Sequence, residues 1–193
     1  MPFISVDIEA SGPIPGVFDM ISFGAVRVRH EGGLYIASED EIYIELRPEY
    51  GGVDPDAMRV NKLDLERLKM DGVSQVEAAS RIRSWALQGA SRTDPPVFVG
   101  YCATFDWAFV NDLFIRTGVE NPFGYKALDI RALAMGVLEI PWLNLNQETI
   151  LPALNLLPLT EDLAHNALAD ARHQAQMLCR LLQKANMAEA IRR

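Results

Sequence analysis

Three short stretches of this chain carry residues whose types and spacing suit chemistry. In Asp7-Ile8-Glu9 two carboxylates stand two residues apart at the end of an apolar run. On a strand, alternate residues share a face, so Asp7 and Glu9 project together and Ile8 points into the opposite layer. Two carboxylates side by side repel each other, and a hard cation between them resolves the repulsion, since magnesium and manganese prefer oxygen ligands. In the second stretch, 165–170, His165 stands just before a helix and Asp170 lies in about its first turn. Both can face the sheet edge where Asp7 and Glu9 stand. In the third, Phe105-Asp106 opens a middle helix. Each feature also has a plain structural use: solvated acids at a strand end, acids at helix N-termini, a capping or surface histidine. Their conjunction in one chain points to metal-assisted chemistry.

Hydrophobic periodicity predicts the elements that must position these residues. Residues 3–8 read as a buried strand that ends in acids and then a Gly12-Pro13 turn. Residues 20–28 and 41–47 read as two more strands, the latter with Ile42, Ile44 and Leu46 on one face and Tyr43, Glu45 and Arg47 on the other. Together they make an antiparallel meander with one wetter edge. Ser74 and Glu77 then fit a capping box, opening a helix with Val76, Ala79, Ile82 and Ala86 at helical spacing and stopped at Asp94-Pro95-Pro96. Residues 97–100 form a fourth strand. A helix follows over 105–117, with Phe105, Phe109 and Leu113 in one stripe and Gly118 as its stop. A short strand at 127–129 and a short helix over 130–137 come next, with Asp129 as a helix cap. Residues 140–160 carry three prolines and no firm period and read as a connection. The chain closes with a long helix over about 166–187, its core face marked by Leu168, Ala171, Ala175, Leu178 and Leu182. Three antiparallel strands followed by strand–helix alternation imply an α/β fold with a mixed sheet and helices on its faces. With 193 residues and no linker or repeat, residues 1–193 read as a single domain.

The net charge of −8 sets limits on partners. Phosphate binding usually leaves a basic footprint, so this chain should bind long duplexes weakly without sequence preference. Clustered acids that hold cations change the sign of the field at the site itself. No apolar run approaches the roughly 20 residues that span a bilayer, and the start has no basic region followed by an apolar one. The expectation is a cytoplasmic protein with no membrane contact. Cys102 and Cys179 form neither a CxxC pair nor a zinc spacing and read as buried or half-buried free thiols in a reducing compartment. His30 and His173 read as surface residues, Trp107 as packed against the sheet, and Arg59, Lys62 and Arg131 as candidates for phosphate contact.

At this point the sequence resembles the DEDDh-type 3′–5′ exonuclease family, with its proofreading-subunit, RNase T and oligoribonuclease branches. Asp7 and Glu9 match the first motif, Asp106 the second, and His165 with Asp170 the third; the resemblance runs from Val6 to about Leu182. It implies a ribonuclease-H-like fold, a mixed five-stranded sheet flanked by helices, and two divalent metal ions, Mg2+ or Mn2+. Asp7 would bridge both ions, Glu9 and Asp170 would hold the one carrying the attacking water, Asp106 would support the other, and His165 would take the proton. Two ions about 3.5–4 Å apart suit the attacking and leaving oxygens of an in-line displacement. The implied substrate is the 3′ end of single-stranded RNA or DNA. The long last helix leaves room for a homodimer. The sequence departs from the family at Tyr101-Cys102-Ala103-Thr104, where many members carry His-Asn, at Asn61, where the proofreading branch has histidine, and at Ala10-Ser11, where threonines are frequent. None of these removes a metal ligand. The segment 13–18 beside the first motif reads equally as a shaper of the entrance and as a surface loop. Two other readings share the same residues: a non-catalytic binding protein that kept the fold, and a phosphodiesterase acting on small nucleotides.

Overall fold

The computed structural model describes residues 2–91, 94–161 and 163–192, the side chains of 187–192 excepted. Five strands form one sheet in the order β3-β2-β1-β4-β5: β1 (Phe3–Ala10), β2 (Met20–Glu31), β3 (Leu34–Glu45), β4 (Val97–Gly100) and β5 (Ala127–Asp129). The first three are antiparallel, while β4 and β5 add in parallel. This is the mixed five-stranded sheet expected.

Helices cover both faces. Ile4, Val6 and Ile8 of β1 point with Phe23 and Phe98 into a core closed by α3 (Gln75–Ala86) and α4 (Ala103–Thr117). On the other face Val26, Val28 and Val99 pack under α5 (Ile130–Leu138), α6 (Gln147–Ala153) and α7 (Ala167–Arg192). Because β2 is covered on both sides, it reads as a near-continuous apolar run rather than an alternation. Helix α7 lays Ala171, Ala175 and Leu178 on the sheet. Its small residues let the helix lie close to the strands. No helix among the described residues is long and apolar enough to cross a membrane.

Several expectations need correcting. Strand β3 begins at Leu34 rather than 41, and its first half is wet on both sides, which hides the period. Helices α1 (Pro55–Asn61) and α2 (Leu65–Asp71) lie in a stretch with no assigned element; Asp54 and Asp64 cap them. The connection over 140–160 holds a 3₁₀ turn at Trp142–Asn144 and α6, whose capping box is Asn146 with Thr149. Ser74 does cap α3, its Oγ accepting from the Glu77 amide at 3.3 Å, but Val76 is exposed.

Candidate active site

Strand β1 delivers Asp7 and Glu9 to the face under α7, both half-buried. Helix α7 starts directly across them. Asp7 pairs with Gly24 in the β1–β2 register, and a Cβ on Gly24 would lie 2.3 Å from the Ala167 carbonyl carbon and 2.4 Å from the Leu168 amide nitrogen. Glycine is therefore what lets the first turn of α7, with Asp170, rest on the sheet beside Asp7. Asn166 caps that turn, its Oδ1 accepting from the Ala169 amide at 3.1 Å. Asp7, Glu9 and Asp170 each present a carboxylate oxygen, all within 4.8 Å of one another, so the three can hold a metal ion.

Asp106 comes from the other layer. Strand β4 pairs with β1 only over Phe3, Ile4 and Ser5. Beyond that point the buried Asp106 carboxylate takes over, Oδ1 accepting from the Ile8 amide at 3.1 Å. The second motif is thus fixed to the backbone between the two acids of the first. A Cβ on Gly100 would meet Asp106 Oδ2 at 3.2 Å, so the strand end leaves little room there. Asp129 caps as expected and does so twice, accepting from the amides of Ala132 at 2.8 Å and Ala103 at 3.0 Å. It ties the starts of α4 and α5 together.

His165 is exposed at the mouth of the cleft that Asp7, Glu9, Asp106 and Asp170 line. Its φ of 62° is left-handed, a conformation costly for most residues but relatively frequent for histidine. Burial raises the Asp170 carboxyl, while the nearby His165 and the backbone of His165 and Asn166 favour its charged form.

Two residues behave differently from expectation. His173 is buried, not superficial, and lines the cleft; its Nε2 lies 2.9 Å from the Leu157 carbonyl oxygen and donates to it, pinning the segment that leads to His165. Gln174, singled out by no motif, is buried between two partners. Its Nε2 donates to Asp7 Oδ1 at 2.6 Å and its Oε1 accepts from the Tyr101 amide at 2.9 Å. The signal was there: Gln174 stands four residues beyond Asp170, on the same helix face. Cys102 is exposed at the cleft, while Cys179 is buried; both are free thiols. Phe105 is exposed, tilted against Phe109 with ring centroids 5.1 Å apart. It separates the acid cleft from an adjoining depression lined by Pro13, Ala57, Val60 and Asn61. Of the described residues in the 13–18 segment, Pro13 lines this adjoining depression and none lines the acid cleft itself. The Asn61 side chain is spent on the fold, donating to the Ala10 carbonyl at 3.1 Å and accepting from the Leu63 amide at 3.0 Å.

The electrostatics fit a divalent cation. Burial and the charges of Asp106, Asp170 and Glu9 push the Asp7 carboxyl far above its ordinary range. Burial, then Asp170 and Asp106, raise Glu9 to about 8. Burial raises Asp106 to about 7 against the pull of the Ile8 amide, and it raises Asp170 as well. No lysine or arginine is among the described residues lining the cleft. Four carboxylates converge where the protein supplies no cation of its own, and the hard oxygen donor set is the one magnesium and manganese take.

Comparison with known proteins agrees with this geometry. The model of the 3′–5′ exoribonuclease Rv2179c-like domain matches residues 3–182. The 3′–5′ DNA exonuclease Cap18 of Escherichia coli is 36% identical over 182 residues, spanning 94% of this chain and 91% of that protein. Ribonuclease T of Baumannia cicadellinicola subsp. Homalodisca coagulata is 24% identical over 188 residues, covering 94% of this chain and 83% of its own. Among solved structures, the nuclease domain of 3′hExo, a DEDDh family member bound to rAMP, superposes with a TM-score of 0.78 at 17% identity, over 94% of this chain and 92% of that one. At that identity the likeness speaks for the fold. Strand order, motif placement and the match over nearly the whole chain lead to one assignment: the chain belongs to the family of Rv2179c-like 3′–5′ exoribonuclease domains and is a 3′–5′ exonuclease acting on nucleic acid.

Proposed function

We propose that residues 1–193 work as a single exonuclease domain that removes nucleotides from the 3′ end of single-stranded RNA or DNA. In this reading Asp7, Glu9, Asp106 and Asp170 hold two divalent ions, Mg2+ or Mn2+, and His165 is the general base. The observation that carries the reading is the meeting of Asp7, Glu9 and Asp170 oxygens within 4.8 Å, with Asp106 bonded to the intervening Ile8 amide. Asp7 would be shared by both ions, Glu9 and Asp170 would hold one, and Asp106 would support the other. When bound, the ions supply the positive charge that the attacking and leaving oxygens of an in-line displacement need.

The chain's own residues do the rest. Gln174 fixes the Asp7 carboxylate and Asp106 anchors β1 from beneath. His165 is exposed at the mouth of the cleft, and in this reading it accepts the proton of a water attacking the terminal phosphodiester. The P–O bond to the 3′ oxygen of the penultimate nucleotide breaks. A 5′-mononucleotide leaves, and the strand, shorter by one, keeps a 3′ hydroxyl. The apolar depression beside Glu9 and Phe105 is the natural seat for the departing nucleoside.

The test separates the metal site from the base. Manganese should raise the melting temperature of the wild type. Asp7→Asn should lose both that rise and turnover. His165→Ala should keep the rise and lose about 10²–10⁴-fold in kcat. A His165→Ala protein that turns over like wild type would remove His165 from the mechanism.

A further inference from the structure

The cleft has a second wall whose composition neither the acids nor the terminal nucleoside explains. Tyr101 and Cys102, in the turn between β4 and α4, line it, as does Gln147 at the start of α6. None of these three borders the Phe105–Val60 depression. Behind them stands Arg131. Its guanidinium lies 5.0 Å from the Trp142 ring centroid and 5.9 Å from that of Tyr101. The group is fixed, with Nε donating to the Leu145 carbonyl at 3.1 Å and Nη1 facing Cys102 Sγ at 3.6 Å.

Two features set this patch apart. First, Arg131 makes no ion pair among the described residues, whereas Arg67, Arg116 and Arg172 each sit on a carboxylate. Asp129, the acid on the same turn, has both oxygens occupied by amides. Asp129 acts on Arg131 only at longer range, so beside the cleft its charge is left for an anionic ligand. Second, Trp142 is 56% exposed although a 3₁₀ turn holds it in place. An indole open to water next to a guanidinium suits a stacked base and its phosphate.

Building on the exonuclease reading, we propose that Arg131, Trp142 and Tyr101 form a subsite for the nucleotide on the 5′ side of the scissile phosphate. Trp142 stacks on the base of the penultimate nucleotide, and Arg131 meets the phosphate on that nucleotide's own 5′ side. The terminal nucleoside takes the Phe105 side, and the remaining strand leaves across this wall. Stacking tolerates any base because every base offers a π face, so the subsite grips single strands without reading sequence.

The test is a double-mutant cycle between Trp142 and the penultimate base. The substrates are a 5′-labelled hexanucleotide, in the sugar the enzyme cuts better, and the same strand with an abasic penultimate residue. Removing that base should cost the wild type about tenfold in kcat/KM, mostly through KM. Trp142→Ala should cost a similar factor on the intact strand and nothing further on the abasic one, and Trp142→Phe should recover most of the loss. Arg131→Gln should flatten the dependence of log kcat/KM on log salt by about one contact's slope. Two losses that multiply in the cycle, or an unchanged salt slope, would overturn the subsite. A wild type that cuts no oligonucleotide with metal present would instead overturn the exonuclease reading beneath it.

Discussion

Gly24 is the residue through which a single methyl group should disable the site without touching any acid. Its Cβ, if present, would lie 2.3 Å from the Ala167 carbonyl carbon and 2.4 Å from both the Ala167 carbonyl oxygen and the Leu168 amide nitrogen. These are backbone atoms, with no rotamer to yield. An ordinary carbon contact is about 3.5 Å, so in Gly24→Ala the start of α7 must retreat by about 1 Å. Gly24 stands opposite Asp7 in the β1–β2 register, so the retreat draws Asp170 and His165 away from Asp7 and Glu9. Overpacking of this kind costs about 1–3 kcal/mol of stability, tolerable in a domain of this size. A displacement of about 1 Å at a reacting centre costs on the order of 100-fold in rate. The assay is kcat/KM on a labelled oligonucleotide together with a manganese titration followed by melting temperature. The expected variant is folded, roughly 100-fold slower and weaker for manganese. A folded Gly24→Ala protein within twofold of wild type in both would refute the claim that close approach of α7 to β2 assembles the site.

Three further predictions follow from the same geometry. Glu9 titrates at about 8 against 4.5 for an ordinary glutamate. A raised carboxyl favours folding at low pH, an advantage lost as pH rises through the folded value, so with chelator present the melting temperature should fall between pH 5 and about 9. Glu9→Gln should flatten that fall and exceed the wild type at about pH 9 by roughly 2 kcal/mol, a discounted figure for a half-buried group; calorimetry that finds Glu9→Gln less stable there would contradict the reading. Gln174→Ala frees the Asp7 carboxylate and leaves the Tyr101 amide unpaired, so manganese affinity by calorimetric titration should drop about 10- to 100-fold. Asp129→Ala removes two helix caps at once and should lower stability by about 2 kcal/mol in urea melts.

The site was more legible in the sequence than its supports. A buried strand ending in D-x-E, an acid near the start of α4 and the His165–Asp170 pair at the start of α7 each sit near the end of an element whose existence the apolar pattern announces. Helices α1, α2 and α6 span only seven residues each, too short to show a period. Three prolines and no firm period made 140–160 read as a connection, yet Pro152 falls inside α6, whose start Asn146 and Thr149 announce. The wet first half of β3 gave no alternation to follow. Phe105 fits a core stripe by spacing but stands at the edge of the cleft, because the first turn of α4 projects past the end of β4. Gln174 and His173 act through hydrogen bonds to groups 167 and 16 residues away in the chain. A motif search over neighbouring positions does not see such partners.

The central claim is tested most directly by following 5′-labelled single-stranded RNA and DNA of one sequence with wild type and Asp170→Ala, in magnesium, in manganese and in chelator. Metal-dependent shortening one nucleotide at a time from the 3′ end, absent in chelator and in Asp170→Ala, is the predicted result, and the faster ladder names the preferred sugar. Equal products from wild type and Asp170→Ala, or no shortening of either strand with metal present, would contradict the account.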